Sequence, residues 1–564
     1  MKPRLLKMVV AFAFFAVGCD DKKPQTARGS TVGPAADAEL QAAFPLESQQ
    51  DLAQCRTILQ QLDNLPSVAT RPTLSATELE EIRQFLQLTV SEATEVGQAN
   101  FSQTDAAYLE ECLLLRAGVR SLRYDGRPAL EQAQAVFDWV CRLVYIDDRV
   151  PWPAPVGSTM QSGFGVLPSR TYAILSAWQQ AGLDGCIVAP ASLKSTPSIQ
   201  PSTRPGTSAS YAPLRVCGVR VDRDVFLFDA QTAKPIYHSD GKRNLTLAQA
   251  KATPNAVAGH TMEEVQSWQM FLAPAISSVS RRIEWLQALN PGNSGVRLFA
   301  DVQKSRAQFK AAGENIPVDA WNPPKDLYTA TRVLSLYSTE EDSTFTTRAH
   351  RDRHSQLLIP IDQMPKTNLD GAPLYYLQEM FSRPFGSLAF GANTPRNLLI
   401  RGQFQEATTT LDDTKKLVDN ARARFEKDPE IRKDFEAWSD SIRRLFAALL
   451  GARASDPAGV SAATKTLTEF TQQPKNRDIE RAFTWGSASR SLGAAVVYLM
   501  AECVHERAER AQRDSTAQAV SQWKNAEEWW VRFLDASSQT NGMLPARDAH
   551  ARMLLGRCRQ FTSK

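Results

Sequence analysis

Apolar residues recur at helical spacing in several separate parts of the chain. The stretch "SATE" (Ser75–Glu78) forms a capping box ahead of Leu79, Ile82, Phe85 and Leu88, which predicts an amphipathic helix. From Thr104, "TDAAYLEECLLLRAGVRSL" repeats that spacing with Leu109, Cys112, Leu113 and Arg116. "ALEQAQAVFDWVCRLVYI" sets Ala133, Val136, Phe137, Val140 and Val144 on one stripe, the pattern of a packed helix. A further helix runs from about Pro168 to Ala181, with the proline in a first turn where its missing N–H costs nothing and Ile174, Leu175 and Trp178 facing inward.

The period then changes. "CIVA" (Cys186–Ala189) is a short apolar run that reads as a buried strand. Residues 191–213 are rich in Ser, Thr and Pro and read as an exposed loop. Beyond it, "LRVCGVRV" and "VFLFDA" flank "DRD" as strand, tight turn and strand. Helix, helix, strand, long loop and hairpin make an α+β arrangement. Further on, "VSRRIEWLQAL" is helical, "GVRLFADV" strand-like and "VDAWNPP" a turn leading out.

From about Thr394 the pattern is almost wholly helical. "LLIRGQFQEATTTLDD" (Leu398–Asp413) resembles the second half of a tetratricopeptide unit. "LMAEC" (Leu499–Cys503) recurs as "LLGRC" (Leu554–Cys558), and between them "QWKNAEEWWVRFLDA" is strongly amphipathic. This resembles a tetratricopeptide-like helical array, and such stacks offer concave surfaces for extended segments of a protein partner. Of the adjacent pair Trp529 and Trp530, one is expected in the core.

Length and composition add bounds. A chain of 564 residues exceeds one hydrophobic core, and 43% apolar with 22% charged residues is ordinary for globular protein. Of the formal net charge of +4, three positives (Lys2, Arg4 and Lys7) fall before any acid. Without them the chain is nearly neutral, which gives no electrostatic case for nucleic acid. Those basic residues precede "MVVAFAFFAV" (Met8–Val17), an apolar run too short for the about 20 residues a membrane span needs. The run ends in "AVGC", which resembles the lipobox of bacterial lipoproteins, with Ala16 in place of the usual leucine. The resemblance implies a signal peptide over 1–18, lipid attachment at Cys19, a membrane anchor and a body facing the periplasm or cell exterior. A plain signal peptide cut nearby is the alternative. The polar stretch 19–40 reads as a flexible tether.

The resulting organisation is a helical segment over 41–125, an α+β domain over 126–255, a mixed α/β linking region over 256–393 and the helical region over 394–564. Seven cysteines besides Cys19 are scattered, odd in number and embedded in apolar patterns, so buried free thiols are expected. No CxxC pair supports zinc, and His350 and His354 in "HRDRH" lack a third ligand, so no metal is expected. "GFGVLP" lacks the third glycine of a dinucleotide fingerprint, and no cofactor is expected.

The block from about 126 to 240 resembles the transglutaminase-like superfamily, whose fold is shared with papain-type thiol proteases. "AVFDWVCRLVYI" is similar to the helix before that family's active site, "SRTYAILSAWQQAGLDGCIVA" to its nucleophile helix and strand, and "LRVCGVRVDRDVFLFDA" to the hairpin that ends on its aspartate. A weaker similarity, to large secreted bacterial proteins with a divergent form of the domain, continues through "SRRIEWLQALNPGNSGVRLFADV" to "VDAW". The resemblance puts the nucleophile at or beside Ser169, the histidine near Leu214 and the orienting aspartate at Asp229. No histidine lies between Arg170 and Ile236, so only Asp229 matches, and it also suits capping of the following turn. A relocated Cys217–His238 pair is the alternative, with Cys217 lacking a helix N-terminus to stabilise its thiolate. The implied protein is a catalytically silent, lipid-anchored scaffold for an envelope protein or peptide. The rival is an active thiol or serine hydrolase or acyltransferase.

Overall fold

The computed structural model describes residues 52–64, 71–147, 155–191, 214–238, 241, 243–257, 259–289, 295–313, 316–321, 393–427, 474–538 and 545–563. The proposed signal peptide, Cys19, the tether, all but the first residue of the Ser/Thr/Pro stretch, and His350 and His354 lie outside them.

Four helices lead: α1 (Leu52–Asp63), α2 (Ala76–Leu86), α3 (Val90–Gly97) and α4 (Gln103–Ser121). Ser75, Thr89 and Ser102 each close a reciprocal capping box, with Glu78, Glu92 and Asp105, so the starts of α2, α3 and α4 are set locally. Next come α5 (Ala129–Leu143), β1 (Tyr145–Ile146), α6 (Val156–Ser162), β2 (Phe164–Gly165) and α7 (Leu167–Ala181). Then follow β3 (Asp184–Pro190), β4 (Val216–Val221), β5 (Asp224–Asp229), β6 (Lys234–Pro235), α8 (Leu247–Ala252), α9 (Met262–Ser267) and β7 (Trp268–Leu272). The middle of the chain closes with α10 (Arg281–Ala288), α11 (Val302–Ala312) and β8 (Val318–Ala320). The last helices are α12 (Pro395–Ile400), α13 (Phe404–Lys427), α14 (Pro474–Arg513), α15 (Ala519–Ser538) and α16 (Pro545–Thr562).

The chain is therefore mixed α/β, with a small sheet among many helices. Six strands order as β6-β5-β4-β3-β7-β8, antiparallel except for the β7–β8 pair. The β4–β5 hairpin pairs Val221 with Asp224 across two residues, and Asp222 takes the left-handed conformation (φ 54°) that so tight a turn demands. Both faces of the sheet are covered, which explains the unbroken apolar run of β3. Ile187, Ala189, Cys217, Val219 and Phe228 face one cluster with α5 and α7. Cys186, Val188, Val216, Val225 and Leu227 face a second with residues of α8, α9 and α11. The first cluster centres on Phe137, Trp178 and Phe228, whose rings lie 4.9–6.5 Å apart, and Trp178 Nε1 donates to Ala133 O at 2.8 Å.

That same cluster continues into Leu399, Phe404, Leu411, Val496, Leu499 and Cys503, so the segments 41–125, 126–255 and 394–564 share one core. Charge reinforces the junction. Arg142 of α5 forks onto Glu506 of α14 at 2.6 and 3.1 Å, and Arg396 of α12 holds Glu502 at 2.6 Å while donating to Met160 O at 2.9 Å. Arg282 does the same for the leading helices. It binds both oxygens of Asp105 (2.6 and 3.2 Å) and the Gln98 carbonyl (3.1 Å).

Three expectations are corrected. Residues 295–300 form no strand: Arg297 N–H donates to the Gln180 side chain, and Leu298 and Phe299 N–H both donate to Gln287 Oε1. Side-chain amides have replaced a strand ladder there. "VDA" is not a turn but β8, parallel to β7 in the register Met270–Val318. "LLIRGQFQEATTTLDD" is split between α12 and α13 by a turn at Gly402, whose φ is 74°. Helix α14 alone has 40 residues, longer than the roughly 34 of a whole tetratricopeptide unit. No described helix is long and apolar enough to cross a membrane.

One buried carboxyl makes stability depend on pH. Glu111 of α4 accepts from Gly157 N–H at 2.9 Å, and burial pushes its carboxyl from the usual 4.5 up to about 8. The native state thus keeps a proton that the unfolded chain releases above 4.5. This contribution is fully present below that pH and is lost as pH rises towards 8. Glu111→Gln keeps the acceptor without the titration. In urea unfolding it should match the parent at pH 5 and exceed it at pH 8.

Candidate functional site

The glycine-rich entry to α7 is built for close approach. Gly163 ends α6 in the left-handed region (φ 78°) and lies against the Arg396 guanidinium, where a Cβ would stand 3.0 Å from Nη2. A Cβ on Gly165 would stand 2.8 Å from Cβ of Ser169. These glycines let β2 and the first turn of α7 pack directly on one another, and Ser169 is left with no solvent exposure.

The residue after it fills the space. Arg170, also buried, donates from Nε to Val144 O at 2.8 Å, from Nη1 to Ala230 O at 3.0 Å and from Nη2 to Cys141 O at 3.3 Å. One guanidinium thereby satisfies carbonyls at the C-terminal end of α5 and just beyond β5. Thr171 Oγ1 donates to Leu214 O at 2.9 Å. The three positions the resemblance assigned are thus close neighbours: Ser169 through Thr171 to Leu214, and through Arg170 to the residue after Asp229. Leu214 is itself buried core. Asp229 Oδ1 accepts from Gln231 N–H (2.8 Å) and Thr232 N–H (3.1 Å), which caps the turn after β5.

The C-terminal helices seal this region. Tyr498 O–H donates to His550 Nδ1 at 2.7 Å, and His550 Nε2 donates to Cys141 O at 3.3 Å, the carbonyl that Arg170 also uses. A carbonyl can only accept, so Nε2 carries a proton, and burial keeps the ring neutral with Nδ1 as the acceptor. Burial, reinforced by the Arg170 charge, pulls His550 down to about 3. Arg547 bridges to Tyr145 Oη at 3.2 Å.

The alternative pair is not brought together. Cys217 points into the core beside Thr171, and burial drives its thiol well above its usual value. His238 opens into a cleft at the sheet margin, past β6. Two strand spacings, about 9–10 Å, separate β4 from β6.

A cysteine–histidine contact does occur elsewhere, and sequence reasoning missed it. Cys558 Sγ lies 3.5 Å from His505 Nδ1, and His505 Nε2 lies 3.6 Å from Glu509 Oε1. Its signal was the recurrence of "LMAEC" and "LLGRC", which hid the histidine two residues after Cys503. The arrangement does not activate the thiol. Trp530 Nε1 donates to the same Nδ1 at 3.2 Å, so the lone pair that would take the thiol proton is already engaged. Burial pushes Cys558 up to about 12, and it has no exposed surface. All seven described cysteines are buried and free, and no metal-binding group of histidine, cysteine and acids occurs among the described residues.

In a Cys19→Ser variant, iodoacetamide should label no thiol rapidly under native conditions, and all seven after unfolding in guanidinium. One thiol labelled far faster than the rest would reveal an activated nucleophile.

No family model, curated protein or solved structure matches this chain.

Proposed function

We propose that this protein is a lipid-anchored scaffold of the bacterial cell envelope. Its anchor is Cys19, and its transglutaminase-like domain holds a protein or peptide partner without turning it over. The observation that carries the non-catalytic reading is the first turn of α7. The assigned nucleophile position holds a sealed serine, the assigned histidine position holds buried Leu214, and the adjacent Arg170 is committed to the carbonyls of Val144 and Ala230. A reacting group would have no access to that serine from solvent.

The outer surface of the C-terminal helices supports a binding role. Val520, Val531 and Met553 are 52, 37 and 45% exposed on α15 and α16, while the neighbouring Trp530 is wholly buried. Trp529 carries the Arg532 guanidinium 4.9 Å above its ring. Large apolar side chains rimmed by charge suit a protein partner.

The second reading, a thiol enzyme, draws on the Cys558–His505 contact alone. Rapid, selective labelling of Cys558 would favour it over the scaffold.

Two measurements test the scaffold. A fatty-acid probe fed to cells should label the parent but not Cys19→Ser, which should move to the soluble fraction; a variant still membrane-bound would count against the anchor. A photo-crosslinking residue at Val520 or Met553 should trap a discrete partner in the intact envelope, lost when Val531→Glu is added. Equal capture from the 80% exposed Val90 on α3 would show the contact to be nonspecific. Point substitution is preferred to truncation because the C-terminal helices share the core of the α/β region.

A further inference from the structure

A cleft of about 550 Å³ lies at the sheet margin, between the start of α5, strand β5 and the start of α8. Its volume falls within the roughly 300–1,000 Å³ of small-molecule sites. Phe226 lines it, half-buried and packed against the core cluster that includes α5. Its backbone is held on both sides, paired with Val219 in the hairpin and bridged to Thr246. Thr246 is fixed in turn by its reciprocal capping bonds with Gln249 (3.1 and 3.3 Å).

Planar polar groups line the same cleft: Glu131 and Gln134, one turn apart on α5, Asp224 at the start of β5, and Asn244. Two carboxylates oppose Arg243 and His238, so neither sign of charge dominates. An anion would meet Glu131 and Asp224, and a cation would meet Arg243. The composition instead suits a neutral ligand dense in hydroxyl groups: carboxylates and amides take up paired hydroxyls, and an aromatic face covers the C–H side of a sugar ring.

We propose that this cleft is a saccharide-binding site for a short neutral oligosaccharide, with Phe226 as the stacking platform and Glu131, Gln134 and Asp224 as hydroxyl acceptors and donors. The site stands apart from the sealed first turn of α7 and from the C-terminal surface, and it needs no catalytic residue.

Calorimetric titration of the full chain with chitin-derived and maltose-derived oligosaccharides tests it. At least one series should bind saturably. Phe226→Ala should weaken that binding about tenfold, the equivalent of the ~1.4 kcal/mol of an aromatic contact, and Glu131→Gln several-fold. Gln134→Trp, on a half-exposed helix position, should block the cleft without disturbing the core, which keeps the test sound should Phe226→Ala unfold. No saturable binding at millimolar probe, binding unchanged in Glu131→Gln and Gln134→Trp, or saturation by short neutral peptides but by neither sugar series would each overturn the proposal.

Discussion

A guanidinium keeps its charge at every pH a protein meets and presents five N–H donors, so a fold that buries one must bring acceptors to it from several directions. This fold does so repeatedly. Arg282 gathers Asp105 and the carbonyls that end α3, Arg396 gathers Met160 and Glu502, Arg142 takes Glu506, and Arg170 takes the end of α5 and the residue beyond β5. Each joins segments far apart in sequence. Such pairs add little net stability over well-packed apolar residues, yet leaving one half unpaired costs about 3–5 kcal/mol. Their effect is to penalise every arrangement of helices except one.

Arg170 also decides what the first turn of α7 can do. A cation beside a helix N-terminus would hold a thiol ionised, and the surroundings therefore retain part of the electrostatics a nucleophile needs. The turn carries a serine in place of a thiol, and that serine has no opening to solvent. His550, bonded to Tyr498, meets Cys141 O, one of the three carbonyl groups that Arg170 serves, so the C-terminal helices pack onto this region. The surfaces that remain outside include the apolar side chains of α15 and α16 and the cleft lined by Phe226.

The local patterns were legible. The Ser75–Glu78 capping box, the Pro168 helix, the buried run of β3 and the β4–β5 hairpin each follow from a few adjacent residues, and the structure places all of them. What escaped were features whose partners are remote. Residues 295–300 carry an alternating pattern suited to a strand, but Gln180 and Gln287 reached their N–H groups first. β8 has only three residues and exists because β7 lies beside it. Trp268–Leu272 is a mostly buried strand with no clean alternation, so nothing in its own five residues marks it as sheet. In the site, Ser169, Leu214 and Asp229 were singled out along the chain, but nothing local announced that Arg170 would bond carbonyls 26 and 60 residues away. The contact of His505 with Cys558 spans 53 residues and two helices.

The reach of these ties has a consequence in time. Arg142 and Glu506 are 364 residues apart, and His550 meets Cys141 across 409. While the chain is being made, the N-terminal half can form its hairpin and capped helices but must wait with Arg142 unpaired and the apolar end of α5 uncovered. Closing loops of that length is slow, and until the last helices arrive the half-made domain exposes both charge and grease. The first-made segments therefore complete their core only once helices made hundreds of residues later pack onto it.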